Sequence, residues 1–93
     1  MTITVYIPST FRRFTDNREY VTVEGSCVSE VLDSLDAAYP GMGELIYDSE
    51  RQVPRHINVY VNNQEIHDLN GTATELADGD QVAVIPALAG GSQ

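Results

Sequence analysis

The chain has 93 residues, 42% of them apolar, with one Cys; these residues suit a single compact domain around one modest core, and exclude an internal disulfide and a clustered cysteine metal site. Fourteen Asp and Glu against five Arg and no Lys give a formal charge of −9, which repels phosphate backbones and anionic lipid, so neither nucleic acid nor membrane is expected as a partner. No apolar run approaches the roughly 20 residues of a membrane span, and Met1-Thr2-Ile3-Thr4 carries neither the basic stretch nor the apolar run of a signal peptide, so the chain reads as cytoplasmic.

Thr2 to Ile7 alternates polar and apolar residues, placing Ile3, Val5 and Ile7 on one side, the period-2 pattern of a half-buried strand that Pro8 ends. Arg18 to Glu24, with Tyr20, Val21 and Val23, is a second strand, and Thr15-Asp16-Asn17-Arg18 suits a hairpin connection that makes the two antiparallel neighbours. After Gly25 the period changes. Val28, Val31, Leu32, Leu35, Ala38 and Tyr39 paint one face of a helix, with Ser26 or Cys27 as its cap, Glu30 favourable at its positive end and Pro40-Gly41 as its stop.

Met42, Leu45 and Ile46 form a short apolar cluster that predicts at most one helical turn before a polar loop ending at Pro54. His56 to Asn62 alternates again, with Ile57, Val59 and Val61 on one side, and Asn62-Asn63 reads as a tight turn into a short strand, Gln64 to Ile66. Residues 67–77 are expected to be mostly irregular, anchored by Leu69 and Leu76. Asp78-Gly79-Asp80 is a turn, and Gln81 to Pro86 a last strand with Val82 and Val84 on one face. Two strands, a crossing helix and a small mixed sheet make an α+β protein of the β-grasp type over residues 1–86. The remainder, Ala87-Leu88-Ala89-Gly90-Gly91-Ser92-Gln93, lacks periodicity and charge and is expected to form a flexible arm.

No ordinary active site is legible. His56 and His67 stand singly, without Cys or carboxylate at metal-ligand spacing. Cys27, at the helix start, has no His or second Cys in a redox or protease motif. The glycines fit neither a phosphate loop nor a dinucleotide fingerprint. The sequence therefore points to no metal and no bound cofactor. The tail differs: an arm ending in Gly90-Gly91, with Ala89 before them, can thread a narrow channel for want of Cβ atoms, and its carboxylate becomes an electrophile only when another enzyme activates it.

The run Leu76-Ala77-Asp78-Gly79-Asp80-Gln81-Val82-Ala83-Val84-Ile85-Pro86-Ala87-Leu88-Ala89-Gly90-Gly91 resembles the ending of the MoaD/ThiS family of ubiquitin-like sulfur carriers. Val59-Tyr60-Val61-Asn62 resembles the family's central strand and turn, and Val28 to Leu35 its helix. Within the family, Ile57-Asn58-Val59-Tyr60-Val61-Asn62 and Pro86-Ala87-Leu88-Ala89-Gly90-Gly91 look most like the carriers of an actinobacterial cysteine route.

The resemblance implies a protein cosubstrate, not an enzyme. Gly91 would be adenylated by an E1-like (MoeB/ThiF-type) enzyme using ATP and Mg²⁺, and the resulting thiocarboxylate would donate sulfur to a biosynthetic enzyme of cysteine, molybdopterin, thiamine or thiosugar type, a PLP-dependent cysteine synthase among them. One departure matters: Ser92 and Gln93 follow the glycines, so the Gly91 carbonyl belongs to an amide. The resemblance implies removal of this extension by a JAMM-type metalloprotease at Gly91-Ser92, with a cloning remnant as the rival explanation of the two residues. Strand alternation also leaves Tyr6, Tyr60 and Ile85 on the face opposite the core, near Leu88 and the root of the arm, as a partner-binding patch. Two other readings stay open, a ubiquitin-like modifier conjugated to target lysines and a β-grasp interaction domain with an idle tail.

Overall fold

A computed structural model describes residues 1–50 and 52–86. Strands β1 (Thr2–Tyr6), β2 (Tyr20–Glu24), β3 (Ile57–Val61), β4 (Gln64–Glu65) and β5 (Gln81–Pro86) form one sheet of order β2-β1-β5-β3-β4. β1 runs antiparallel to β2 and parallel to β5, which in turn runs antiparallel to β3. Helix α1 (Val28–Ala38) follows β2, and one turn of helix, α2 (Gly43–Ile46), follows α1. The elements and the mixed sheet are those the hydrophobic periodicity predicts.

The core lies between one face of the sheet and the apolar stripe of α1. Ile3, Val5, Val82 and Val84 from the central strands are fully buried, as are Val28, Val31, Leu32 and Leu35 from the helix. Covering each such aliphatic side chain is worth about 1.5–3 kcal/mol before entropy is counted, so the period-2 and period-3.6 patterns are where the fold's stability resides. Met42 and Ile46 close one end of this core.

Three local details differ from the sequence reading. The link between β1 and β2 is not a bare hairpin loop: Ser9–Thr15 forms a 3-10 helix that buries Phe11 and Thr15. Thr15 Oγ1 sits between the Arg12 and Arg18 carbonyls at 3.2 and 3.1 Å, and Asp16 and Asn17 then turn the chain at φ 55° and 64°. A seven-residue 3-10 helix has no hydrophobic period of its own to read, because it is held by a single buried aromatic and by these polar contacts. Between β4 and β5 the chain is mostly irregular, as expected, with two short 3-10 turns at Ile66–Asp68 and Gly71–Ala73 that the sequence reading did not foresee, and β4 ends at Glu65, one residue early.

At the start of α1, Cys27 occupies the cap position without a side-chain capping bond. The Val28 N–H of the first turn donates to the Thr74 carbonyl at 3.1 Å, and Glu30 fixes the chain ahead of the cap, its Oε1 accepting from Ser26 N at 2.8 Å and Ser26 Oγ at 2.7 Å. These bonds hold the Glu30 carboxyl below its ordinary range, the backbone bond contributing most. The turns fall as expected. Asn62 and Asn63 have φ 50° and 73° between β3 and β4, the two positive values of a type I′ hairpin, and Gly79 (φ 91°) turns the chain into β5.

Candidate docking face and C-terminal exit

β5 carries the backbone toward its C-terminal segment from the middle of the sheet, flanked by β1 and β3. Its last residue, Pro86, pairs with Ile57 at the start of β3. Leu88, named from the sequence as part of the partner-binding patch, and Ala89, Gly90, Gly91 and Ser92, named as tail, covalent and processing residues, lie outside the described residues, as does the arm.

Because β1 and β5 are parallel while β2 and β3 oppose them, one end of the sheet gathers the end of β1, the start of β2, the start of β3 and the end of β5. On the face away from α1, the register lines up Tyr20, Tyr6, Ala83, Tyr60 and Glu65, one residue from each of the five strands, in a row that crosses β2 and β1 at this end but β5 and β3 further in, at Ala83 and Tyr60. Tyr20 and Tyr6 meet edge to face, with ring centroids 5.5 Å apart and planes at 62°. Tyr20 is 51% exposed, whereas Tyr6, Tyr60 and Ala83 are half-buried.

Ile85 shares this face one pair further toward the exit, opposite Asn58. Tyr6, Tyr60 and Ile85 therefore do lie on one face, as alternation predicts, with Ala83 seated between the two tyrosines. The alternation also marks Tyr20 as facing away from Val21 and Val23. Its membership in the row cannot be read without the register that joins it to Tyr6. On the other side of the row the surface turns polar, with Thr22, Thr4 and Gln81 in line.

The remaining titratable candidates stay apart. His56 and His67 are exposed, His67 Nδ1 lying 3.0 Å from Glu65 Oε1. Cys27 Sγ contacts only Ser29 Oγ, at 3.3 Å, among polar side-chain atoms of the described residues. No three His, Cys, Asp or Glu side chains converge on a possible metal position among the described residues. None of the described helices is long and apolar enough to cross a membrane. What the geometry offers is a row of aromatic rings across the face of the sheet opposite α1, a surface suited to holding a partner.

A mixed five-stranded sheet of this order, with one helix packed across one face, is the β-grasp fold of ubiquitin-like proteins. Residues 5–91 match the ThiS family. The protein is 38% identical to the sulfur carrier protein CysO of Mycobacterium tuberculosis over 93 residues, covering 98% of this chain and all of that one. The crystal structure of that protein superposes with a TM-score of 0.86 at 35% identity, over 92% of this chain and 99% of that one. A crystal structure of the Amycolatopsis orientalis BexX/CysO complex gives the same score at 31% identity, over 92% of this chain and 96% of the matched one. Over 69 residues the protein is also 48% identical to small archaeal modifier protein 3 of Haloferax volcanii, 73% of each being covered. It belongs to the ThiS family of ubiquitin-like sulfur carriers.

Proposed function

We propose that the working group of this carrier is the carboxylate of Gly91, and that the protein acts in the cytoplasm as a cosubstrate for other enzymes. The observation that carries this reading is the extent of the family match, which ends on Gly91 and leaves Ser92 and Gln93 beyond it. The Gly91 carboxylate attacks the α-phosphorus of ATP in the site of an E1-like enzyme of the MoeB/ThiF type, with Mg²⁺ on the phosphates, giving an acyl adenylate and pyrophosphate. A sulfide-level donor then displaces AMP and leaves a thiocarboxylate. A sulfur-accepting biosynthetic enzyme consumes it, and the similarity to CysO favours as acceptor an activated serine in a PLP-dependent cysteine synthase, the thiocarboxylate sulfur bonding to the serine β-carbon as the activating group leaves. The aromatic row, with Ile85, docks the activating enzyme.

Before that cycle a JAMM-type metalloprotease removes Ser92 and Gln93, because a Gly91 carbonyl tied up in an amide offers no carboxylate to adenylate. Two extended residues also displace the terminal carboxylate by about 7 Å, at about 3.3–3.6 Å per residue, far more than a reacting geometry tolerates.

The test is intact mass after incubation with a ThiF-type enzyme, ATP and sulfide. A protein ending at Gly91 should gain the mass difference between sulfur and oxygen, while the 93-residue form should gain it only after proteolysis. If the intact full-length form is thiolated as readily as the shortened one, the processing step is wrong; if neither changes mass, Gly91 is not the carrier site. A second reading, a modifier joined to lysines of other proteins, is favoured by the similarity to an archaeal modifier protein. Covalent adducts on target proteins, in place of a free thiocarboxylate, would select it.

A further inference from the structure

The two edges of the sheet are not alike. β4, at one edge, is two residues long and gives way at once to a 3-10 turn, and so short an edge offers little backbone to a strand from another chain. β2, at the other edge, pairs with β1 through five unbroken residue pairs, with no bulge, Pro or Lys among Tyr20-Val21-Thr22-Val23-Glu24. The devices that usually protect an edge strand are missing from it.

The ladder fixes which groups β2 presents. Ile7 N donates to the Glu19 carbonyl and Gly25 N to the Met1 carbonyl, so Glu19, Val21, Val23 and Gly25 turn their polar backbone groups toward β1. Tyr20, Thr22 and Glu24 turn theirs outward. Among the described residues only the Glu24 carbonyl of this outward set has a partner, Ser34 Oγ at 2.7 Å, and a carbonyl keeps a second lone pair. The side chains of the same three residues are exposed, and Tyr20 and Met1 are the exposed large apolar residues of the described chain.

We propose that a second copy of this protein pairs on this edge, β2 against β2, antiparallel about a two-fold axis at Thr22. In that register Tyr20 stands opposite Glu24 of the second copy and Thr22 opposite its own twin, so every outward N–H and C=O of the three residues gains a partner. The side chains suit the same register. Threonines face one another, no carboxylate faces a carboxylate, and Arg18, in no salt bridge among the described residues, comes diagonal to Glu24 of the second copy. Parallel pairing would instead set Glu24 beside Glu24 and Arg18 beside Arg18. An unrelated extended peptide would match the backbone but not this symmetric order of side chains.

The contact is small, since it joins two short strands, and each body carries a charge of −9. Pairing is therefore weak and concentration-dependent, and strengthens as salt screens the two bodies. β5 runs opposite to β2 in each copy, so the two-fold axis points the two C-terminal exits in opposite directions and keeps both clear of the contact. Tyr6, Tyr60 and Ile85 stay open, while the Tyr20 ring is bordered on its outer side. Pairing at this edge is independent of the carrier chemistry of Gly91.

Sedimentation equilibrium of the full-length protein at about 1 M salt, from micromolar to millimolar concentration, should show a monomer–dimer equilibrium that weakens at low salt. Thr22→Pro removes an outward N–H that the β1 ladder does not use, and should weaken dimerisation at least about tenfold. The register is read by cross-linking in a Cys27→Ser background, Cys27 being the one native thiol. Directly hydrogen-bonded residues have Cα atoms about 5.5 Å apart, within reach of a disulfide. With oxidised glutathione, Thr22→Cys should form a disulfide dimer at least about tenfold faster than Glu24→Cys, whose twin lies about 14 Å along the ladder. Tyr20→Cys and Glu24→Cys chains, mixed, should join to each other rather than to themselves.

A monomer at every concentration and salt, or a Thr22→Cys protein that cross-links no faster than Glu24→Cys, overturns the pairing. A dimer that Thr22→Pro leaves at wild-type strength places the contact elsewhere and overturns it equally.

Discussion

Replacing Tyr20 by Ser removes the most exposed ring of the aromatic row and leaves the sheet's other face intact. Tyr20 is 51% exposed and sits at the exit end of the edge strand β2. An aromatic side chain buries about 150–250 Å² when covered, so about 100 Å² of this ring is open to a partner. At about 25 cal/mol per Å² its coverage is worth at most about 2.5 kcal/mol, or about sixtyfold in affinity at about 1.4 kcal/mol per decade.

Partial coverage at a rim lowers that ceiling, and the expected loss is about ten- to sixtyfold in the dissociation constant for the activating enzyme, measured by titration calorimetry. Folding should lose about 0.5–1.5 kcal/mol with the edge-to-face contact to Tyr6, read by urea unfolding. Thr22→Ala, exposed on the same strand and face, serves as the control and should bind as wild type. If Tyr20→Ser binds within about twofold of wild type while Thr22→Ala behaves as expected, the row is not the docking surface.

Gly41→Ala should destabilise the fold by about 1–3 kcal/mol in urea, since Gly41 holds φ 106° and an added Cβ would stand 3.0 Å from Phe14 Cδ1. Glu30→Gln should lower the thermal midpoint near neutral pH. The wild-type carboxyl titrates below its usual 4.5 in the folded protein, so its contribution is full above that value and is lost as pH falls through the folded pKa. The gap between wild type and variant should therefore narrow below about pH 4.5; a gap that is constant with pH would mean the Ser26 bonds do not depend on the charge. Gly90→Ala should slow adenylation of the Gly91-ended form while leaving its thermal midpoint unchanged. A wild-type rate there would remove the reason for a glycine in the channel.

Most of the architecture was legible because it rests on short-range alternation. Ile3 and Val5, Val82 and Val84, and the Val28-Val31-Leu32-Leu35 stripe each repeat at the period of their own element, and all are buried where that period puts them. The Asn62-Asn63 turn was equally plain, since Asn tolerates the positive φ values it adopts. Phe11 carried no such signal: one buried aromatic in a polar stretch has no period, and its place depends on the core it caps.

The class of protein and its proposed working glycine were in the linear sequence, because a Gly-Gly ending after an apolar strand and Pro is a local motif. Which residues share a surface was decided only by tertiary structure. Strand register across β2, β1, β5, β3 and β4 brought Tyr20 and Ala83 into line with Tyr6 and Tyr60, although Tyr20 and Ala83 lie far apart in the sequence. Alternation tells a residue which face it belongs to; only the hydrogen-bonded ladder tells it which distant residues stand beside it there.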